Sequence, residues 1–263
     1  MELIDSHTHL DFPDFEADRA QVLARSRQQG VGRMVVLGVY QRHWQRLWAL
    51  VQSDPQLYAA FGLHPVYLDQ HSAGDLTELG DWLSRLAGHR QLCAVGEIGL
   101  DYFLPGLDRQ RQQDLFEAQL QLAKDFQLPA LLHVRRSHAA VIASLKRHRL
   151  PRGGIVHAFA GSWEEAREYL KLGFKLGLGG AGTWPQALRL RQVIARLPLD
   201  SIVLETDSPD MAPAMFAQQR NSPEHLPAIC AALAELLAIS PEALAQASTA
   251  NACALFNWPL ASA

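Results

Sequence analysis

The sequence predicts an α/β protein in which eight parallel strands close into a single (β/α)8 TIM barrel. Short apolar or β-branched runs alternate with longer segments of helical period along most of the chain. Such alternation leaves a closed barrel or an open doubly wound sheet as the main options. An open nucleotide-binding sheet requires a glycine-rich turn after its first strand, but here that strand continues into His9-Leu10-Asp11-Phe12-Pro13, which contains no glycine. We therefore expect the closed barrel.

The predicted elements follow one another in the order that a barrel requires. The eight strands are Leu3–His9, Arg33–Gly38, Leu57–Leu63, Cys93–Ile98, Ala130–Val134, Gly154–Ala158, Lys175–Gly179 and Ile202–Thr206. The helical segments are Asp18–Gln29, His43–Gln52, Leu76–Ala87, Arg109–Phe126, His138–Arg149, Trp163–Leu172, Gln186–Arg196, Pro223–Ala238 and Pro241–Phe256. Ser162 and Ser240 each stand directly before a helical segment, where a serine hydroxyl can cap the first backbone amides.

The composition is that of an ordinary globular protein, with 48% hydrophobic and 19% charged residues. A net charge of −3 excludes a broad basic surface for long nucleic acid. Any recognition of phosphate would therefore be local, through a metal ion or a few arginines. Because the sequence contains no linker or low-complexity stretch, we expect one domain over residues 1–263.

Cysteine usage and hydropathy indicate where the protein works. Cys93, Cys230 and Cys253 are widely spaced and form no Cys-x-x-Cys pair, which predicts reduced, buried thiols. The N-terminus is not typical of a cleavable signal peptide. The longest apolar stretch, Ile229 to Ile239, is too short to span a bilayer. We expect a cytoplasmic protein with no membrane contact, and the composition favours a monomer.

The first strand carries the first candidate metal ligands. Asp5, His7 and His9 alternate with other residues, so their side chains share one face of an extended strand. Two imidazoles at adjacent positions of one face can hold a single metal ion. The alternative is a strand end near solvent that carries two histidines by chance.

Ligand-type residues recur at the carboxyl ends of the other strands, where barrel enzymes place their chemistry. They are His64 after strand three, Glu97 on strand four, His133 on strand five, His157 on strand six and Asp207 after strand eight. Imidazole and carboxylate ligands together suit Zn²⁺, Mn²⁺ or Fe²⁺ better than Mg²⁺. The set is too large for one ion, so we expect two divalent ions (Zn²⁺, Mn²⁺ or Mg²⁺, the identity being open) bridged by Glu97.

The remaining histidines lie away from the strand ends, and we expect them at the surface. They are His43, His71, His89, His138, His148 and His225.

The same residues give the chain a resemblance to the TatD family of metal-dependent hydrolases, within the amidohydrolase-like barrels. The similar segments are Asp5-Ser6-His7-Thr8-His9, Gly62-Leu63-His64-Pro65, Gly96-Glu97-Ile98-Gly99-Leu100-Asp101-Tyr102, His133-Val134-Arg135, His157-Ala158-Phe159-Ala160-Gly161, Glu205-Thr206-Asp207-Ser208-Pro209 and Arg220-Asn221-Ser222-Pro223. The resemblance extends over essentially the whole length. Ile98 and Ala160 depart from the family's common threonine and serine, which points to a less studied branch without changing the ligands.

The resemblance implies two metal ions and phosphodiester hydrolysis, since characterised members include nucleases that act on DNA ends. His7, His9, Glu97 and Asp207 would hold one ion. Glu97, His133 and His157 would hold the other. We expect a water between the ions to lose its proton and attack phosphorus. Asp207, together with Glu97, is the candidate catalytic residue, and Asp207 would accept that proton and pass it to the leaving group. The alternative for Asp207 is a metal ligand with no proton chemistry.

Three further side chains are candidates for contact with substrate or ligands. His64 would bind the substrate phosphate or a metal-bound water, unless it is a loop histidine with a local hydrogen bond. Arg135 lies two residues past His133 and would grip phosphate, or else neutralise Glu97 or Asp207. Glu205 would orient a ligand histidine, or be a buried carboxylate paired with an arginine.

Three functions compete on this basis. The first is a metal-dependent phosphodiesterase, a deoxyribonuclease type, acting on the ends of DNA or RNA or on a small phosphodiester. The second is a hydrolase of a small amide, ester or lactone at the same dinuclear site. The third, a catalytically silent scaffold stabilised by metal, is disfavoured because structural sites rarely hold open ions at the active face of a barrel.

Overall fold

The computed structural model describes residues 2–260 and contains the predicted barrel. Eight parallel strands pair in the order of the sequence. They are β1 Leu3–Thr8, β2 Val31–Leu37, β3 Leu57–Phe61, β4 Leu92–Asp101, β5 Ala130–Arg135, β6 Gly154–Val156, β7 Phe174–Leu178 and β8 Ile202–Leu204. The ends of the predicted 1–263 domain, residue 1 and residues 261–263, lie outside the described residues.

Backbone contacts between β1 and the chain after β8 close the barrel. The amide of Asp207 donates to the carbonyl of His7 at 2.8 Å, and the amide of His9 donates to the carbonyl of Ser208 at 2.8 Å. Below them the Asp5 carboxylate accepts a hydrogen bond of 2.6 Å from the Thr206 hydroxyl. These contacts bring the two histidines of the first strand beside Asp207, about two hundred residues away along the chain.

Helices cover the outside of the barrel. They are α1 Arg19–Gln28, α2 Trp44–Gln52, α3 Asp75–Arg85, α4 Arg109–Asp125, α5 His138–His148, α6 Trp163–Lys171, α7 Leu188–Ile194, α8 Leu226–Leu237 and α9 Pro241–Phe256. The predicted caps are present, since the Ser162 hydroxyl accepts from the amide of Glu165 and the Ser240 hydroxyl from the amide of Ala243. The segment predicted from Pro223 begins instead with a short 3-10 turn, Pro223–His225.

The strand boundaries differ from the predicted ones where pairing decides them. Strand β4 continues to Asp101 because that residue pairs with Arg135 of β5. Strands β6 and β8 stop at Val156 and Leu204, so His157 and Asp207 lie just beyond the regular sheet. The ligand-type residues therefore stand at the rim of the barrel.

The core has two parts, as expected for strands that are buried on both faces. One apolar cluster, which includes Leu3, Val36 and Phe116, packs between strands and helices. A second includes Ile4 and Val35 together with Ala252, Cys253, Leu255 and Phe256 of α9. The side chains of neighbouring residues in one strand thus point to opposite faces of the sheet. Helix α9 packs on the second cluster, and the functional site lies at the carboxyl ends of the strands.

Two expectations about composition can be compared with the structure. The cysteines at 93, 230 and 253 are buried and free, as predicted. Among residues 2–260 no single helix is long and apolar enough to cross a membrane; the helical segments Pro223–Leu237 and Pro241–Phe256 reach that length and hydropathy only as a pair bent by 106°.

Candidate metal centre

Five imidazoles surround the carboxylate of Glu97; its two oxygens divide four of them, and the fifth, His64, is described below. Oε2 lies 3.2 Å from Nε2 of His7 and 3.4 Å from Nε2 of His9. Oε1 lies 2.9 Å from Nε2 of His157 and 3.3 Å from Nδ1 of His133. A carboxylate with each oxygen facing its own pair of imidazoles has the arrangement of a bridge between two cations.

Asp207 completes the half of the site that contains His7 and His9. Its Oδ1 lies 3.4 Å from Nε2 of His7 and 3.6 Å from Nε2 of His9. The backbone of Asp207 is left-handed, with φ of 57°, a conformation that aspartate tolerates better than most residues. The turn after β8 therefore brings this carboxylate back over β1, where it meets both histidines.

Hydrogen bonding fits this half of the site to a cation. Nδ1 of His9 lies 3.2 Å from the carbonyl of Leu37, which accepts its hydrogen and leaves the lone pair of Nε2 free. Both ring nitrogens of His7 are buried and have no hydrogen-bond partner in the part of the chain that the structure describes. A buried polar atom without a partner is costly, and a metal ion would satisfy Nε2 of His7. The residues of this half of the site therefore fit a divalent metal ion.

Electrostatics also favours a cation. Burial raises the pKa of a carboxyl group, but here it is outweighed: the charges of His64, His157 and His7 hold the pKa of Glu97 well below its usual range. His157 does the same for Asp207, whose pKa is lowered despite burial. Burial and the neighbouring His157 lower the pKa of His7. Despite burial, the neighbouring carboxylates raise the pKa of His9 to about 10 and also raise the pKa of His133 and His157. Because metals are ligated by ionised carboxylates and neutral imidazoles, a bound metal would displace protons from these histidines.

Two further carboxylates lie behind the histidines of the other half. Asp101 Oδ2 lies 3.0 Å from Nε2 of His133, so Nδ1 of that ring is the nitrogen left for Glu97 and a metal. Glu205 Oε1 lies 3.7 Å from Nδ1 of His157, and no arginine pairs with Glu205 among residues 2–260. The paired-arginine alternative for Glu205 is therefore wrong. Carboxylates behind ligand histidines fix the tautomer and the orientation of the ring.

Gly177 makes room for Glu205. A Cβ atom at this position would lie 2.1 Å from Glu205 Oε2. Sequence analysis missed this requirement, because one glycine among 18 carries no signal of its own. The sequence analysis also assigned no role to Asp101. Its position four residues after Glu97 on one strand places both on the same face, which is the signal that relates them.

His64 stands beside the centre as a hydrogen-bond donor. Its Nδ1 accepts a hydrogen bond of 3.1 Å from the amide of Val66, so in the neutral ring the hydrogen is on Nε2. Nε2 lies 3.0 Å from Glu97 Oε1. A nitrogen that carries hydrogen cannot ligate a metal, although His64, Glu97 and His133 lie close enough to share one. Burial lowers the pKa of His64 to about 4, in keeping with the neutral form.

A cavity of about 470 Å³ opens in front of Glu97 and Asp207, and Arg135 lies at its edge. The guanidinium carbon of Arg135 lies 3.8 Å from the centre of the Phe103 ring. In the described part of the chain Arg135 pairs with neither Glu97 nor Asp207, so the predicted neutralising role is wrong. Its charge is free to meet an anion in the cavity.

Two histidines expected at the surface are buried. Nε2 of His71 lies 2.9 Å from the carbonyl of His64 and helps to fix that residue. The ring of His225 stacks on Phe216 with centroids 4.0 Å apart. Their burial depends on contacts between loops, which periodicity does not reveal.

Comparison with known proteins agrees with this geometry. The sequence model of a family described as TatD related DNase matches residues 4–257. The chain belongs to the TatD family. It is 44% identical over 256 residues to the uncharacterized metal-dependent hydrolase YjjV of Escherichia coli K12, with 97% of this chain and 98% of that protein covered. It is 31% identical over 272 residues to the 3'-5' ssDNA/RNA exonuclease TatD of Citrobacter rodentium, covering 99% of this chain and all of that protein.

A solved structure extends the relationship to the fold. The crystal structure of YjjV, a TatD homologue from Escherichia coli K12, superposes with a TM-score of 0.94 at 44% identity and covers 98% of both chains. The predicted TIM barrel and TatD family membership are therefore confirmed, and this TatD family protein is a metal-dependent hydrolase.

Proposed function

We propose that this TatD family protein is a phosphodiesterase that cleaves the ends of single-stranded DNA or RNA through two divalent ions bridged by Glu97. The observation that carries the proposal is the division of the Glu97 oxygens, Oε2 towards His7 and His9 and Oε1 towards His133 and His157. The exonuclease name of the Citrobacter rodentium relative supports the choice of substrate.

The ligands fall into two sets that share Glu97. His7, His9 and Asp207 would hold one ion with Oε2, and His133 and His157 the other with Oε1. When bound, the ions supply Lewis acidity, which lowers the pKa of water to about 7 and polarises the phosphoryl oxygens. Imidazole nitrogen in both sets favours Zn²⁺ or Mn²⁺ over Mg²⁺.

Asp207 is the residue that would move the proton. Its side chain is 14% exposed, whereas that of Glu97 is 2% exposed, so of the two proposed ligand carboxylates that line the cavity Asp207 is the more open. It would accept the proton of the attacking water and pass it to the leaving oxygen. Glu97, which is enclosed by imidazoles, would remain ionised throughout the reaction. As the ligand shared by both sets, it would hold the two ions at a fixed separation.

His64 and Arg135 would bind the phosphate. The Nε2 hydrogen of His64 points into the ring of ligands at Glu97 Oε1, where a donor can stabilise charge that develops on a phosphoryl oxygen. Arg135 would hold the phosphate from the edge of the cavity. All of these groups come from one chain, so we propose that a monomer is sufficient for activity.

The alternative, hydrolysis of a small amide, ester or lactone, would use the same ions without needing an arginine at the edge of the cavity. The distinguishing experiment compares single-stranded oligonucleotides with a panel of aryl phosphodiesters, esters, amides and lactones. Chelator-stripped protein is assayed after Mg²⁺, Mn²⁺ or Zn²⁺ is added back, with Glu97→Ala as the control. We expect metal-restored release of mononucleotides that is absent from the variant. Activity confined to carbonyl substrates would replace the proposal with the alternative.

A further inference from the structure

A groove lies between the start of α6 and helix α7, next to the proposed active site. It encloses about 390 Å³. Ala160 lines both this groove and the cavity in front of Glu97, so the two adjoin at this residue. His138, the first residue of α5, lines the groove too, and it lies three residues after Arg135, the last residue of β5, which lines the central cavity.

We propose that this groove is a second nucleotide subsite, which binds the single strand next to the nucleotide held at the metal centre. The inference rests on the proposed function, because it takes a polynucleotide as the substrate. The groove would allow the protein to distinguish a polynucleotide from a small phosphodiester.

The groove combines an aromatic ring with positive charge. The guanidinium carbon of Arg196 lies 4.4 Å from the centre of the Trp163 ring, and Arg189 lines the same groove. Both arginines are exposed, and Trp163 is half-buried. Sites for single-stranded nucleic acid combine these features, since bases stack on aromatic rings and guanidinium groups bind the phosphates between them.

The two arginines of the groove have no ion-pair partner in the described part of the chain. In the chain from residue 2 to residue 260, neither Arg189 nor Arg196 pairs with a carboxylate. The one carboxylate that lines the groove, Glu165, is engaged, because its Oε2 accepts a hydrogen bond of 2.7 Å from the amide of Ser162.

Two arginines elsewhere near the barrel mouth, Arg46 of α2 and Arg220, are neutralised. Arg46 lies 3.4 Å from Asp11 Oδ2, and Arg220 lies 2.7 Å from Asp18 Oδ2. The arginines that line the central cavity and the groove are Arg135, Arg189 and Arg196. Among residues 2–260 none of these three pairs with a carboxylate, and all lie on the side of the mouth that follows β5 to β7. A polyanion that leaves the centre would be drawn to that side although the net charge of the protein is −3.

The test uses the double variant Arg189→Gln/Arg196→Gln in the metal-loaded enzyme. The matched control is Arg90→Gln/Arg149→Gln, which removes two exposed arginines at the opposite end of the barrel. Release of mononucleotides is measured from a ten-nucleotide oligothymidylate and from the p-nitrophenyl ester of thymidine 5'-phosphate, which has no second nucleotide to enter the groove. We expect the groove variant to raise KM for the long substrate about tenfold and to leave the nitrophenyl ester within twofold of the wild type. The control variant should match the wild type on both.

Binding of a fluorescein-labelled oligothymidylate to chelator-stripped protein gives a second readout, independent of catalysis. Loss of two phosphate contacts should reduce the slope of log Kd against log salt by about 1.4. Trp163→Leu should weaken binding at least about fivefold, whereas Trp163→Phe should retain it, because stacking requires a ring.

The two proposals can fail separately. If the wild type cleaves the long substrate and the groove variant equals it in KM and in salt slope, the groove proposal is overturned and the proposed function stands. If no phosphodiester is cleaved by any metal-loaded protein, the proposed function fails. Equal binding of the labelled strand by wild type and groove variant would then overturn the groove proposal as well.

Discussion

The Nε2 atom of His133 lies 3.0 Å from Asp101 Oδ2, and the opposite nitrogen of the same ring lies 3.3 Å from Glu97 Oε1. Asp101 Oδ1 also accepts hydrogen bonds from the amides of Phe103 and Leu104. One carboxylate thus fixes both the orientation of a proposed ligand and the loop that carries Phe103 to the mouth of the site.

Replacing Asp101 with asparagine should weaken metal binding. The amide cannot hold the His133 ring in a single tautomer, and loss of such a partner typically reduces metal affinity about 10- to 100-fold. Competition with a chelating dye measures the affinity. Asp108→Asn is the matched control, since Asp108 only caps α4 by accepting from the amides of Gln110 and Arg111. Equal metal affinities in the two variants would mean that Asp101 only stabilises the loop that contains Phe103 and does not orient His133.

His64→Gln should lower turnover without removing metal. Loss of one donor to a developing oxyanion typically reduces kcat about 10²- to 10³-fold. We expect this loss for an aryl phosphodiester while the metal content, measured by mass spectrometry, stays at the wild-type value. A fall in metal content would instead make His64 a ligand and would contradict the tautomer inferred from the amide of Val66.

Gly177→Ala should destabilise the barrel. The added methyl would meet Glu205 Oε2 at 2.1 Å, and overpacking of a core costs about 1–3 kcal/mol. Urea unfolding measures the change in the free energy of unfolding. Gly74→Ala is the control, because a Cβ there would meet nothing closer than the Ser72 hydroxyl at 3.9 Å. In a Glu205→Ala background the cost of Gly177→Ala should shrink; an undiminished cost would point to another cause.

The cysteines give a prediction about pH. Burial, with a smaller contribution from Glu242, raises the pKa of Cys230 to about 11 from its usual 9.0. A thiol whose pKa is raised on folding contributes stability that is fully present below pH 9 and is lost as the pH rises through 11. The midpoint temperature of thermal unfolding should therefore decrease as the pH is raised from 9 to 11. The decrease should be smaller in Cys230→Ala. At pH 8 a thiol reagent should react slowly with the cysteines of the native protein, because all three are buried. After unfolding it should label all three.

Much of the fold could be predicted from the sequence because its signals are local. Strand and helix periodicity, the serine caps and the absence of glycine after His9 are properties of short segments. The lengths of β4 and β6 were less predictable, since cross-strand pairs such as Asp101 with Arg135 decide where a strand stops. That residues 1–263 form one domain stays a prediction.

The residues of the site were more predictable than the contacts between them. His7, His9, Glu97, His133, His157 and Asp207 were selected from positions along the strands, and the structure brings all of them together. The hydrogen-bonding role of His64 depends on the amide of Val66, and the orientation of Arg135 depends on Phe103 from another loop. Such contacts arise from tertiary packing, which the spacing of residues along one strand does not encode.

The most direct test of the central claim counts ions and turnover together. Mn²⁺ is titrated into chelator-stripped wild type and Glu97→Gln while the metal bound per chain and the release of mononucleotides from a single-stranded oligonucleotide are followed. A bridging Glu97 predicts two ions per wild-type chain, activity that appears with the second ion, and loss of both in the variant. Full activity with one ion, or a variant that keeps two ions and the wild-type rate, would contradict the account.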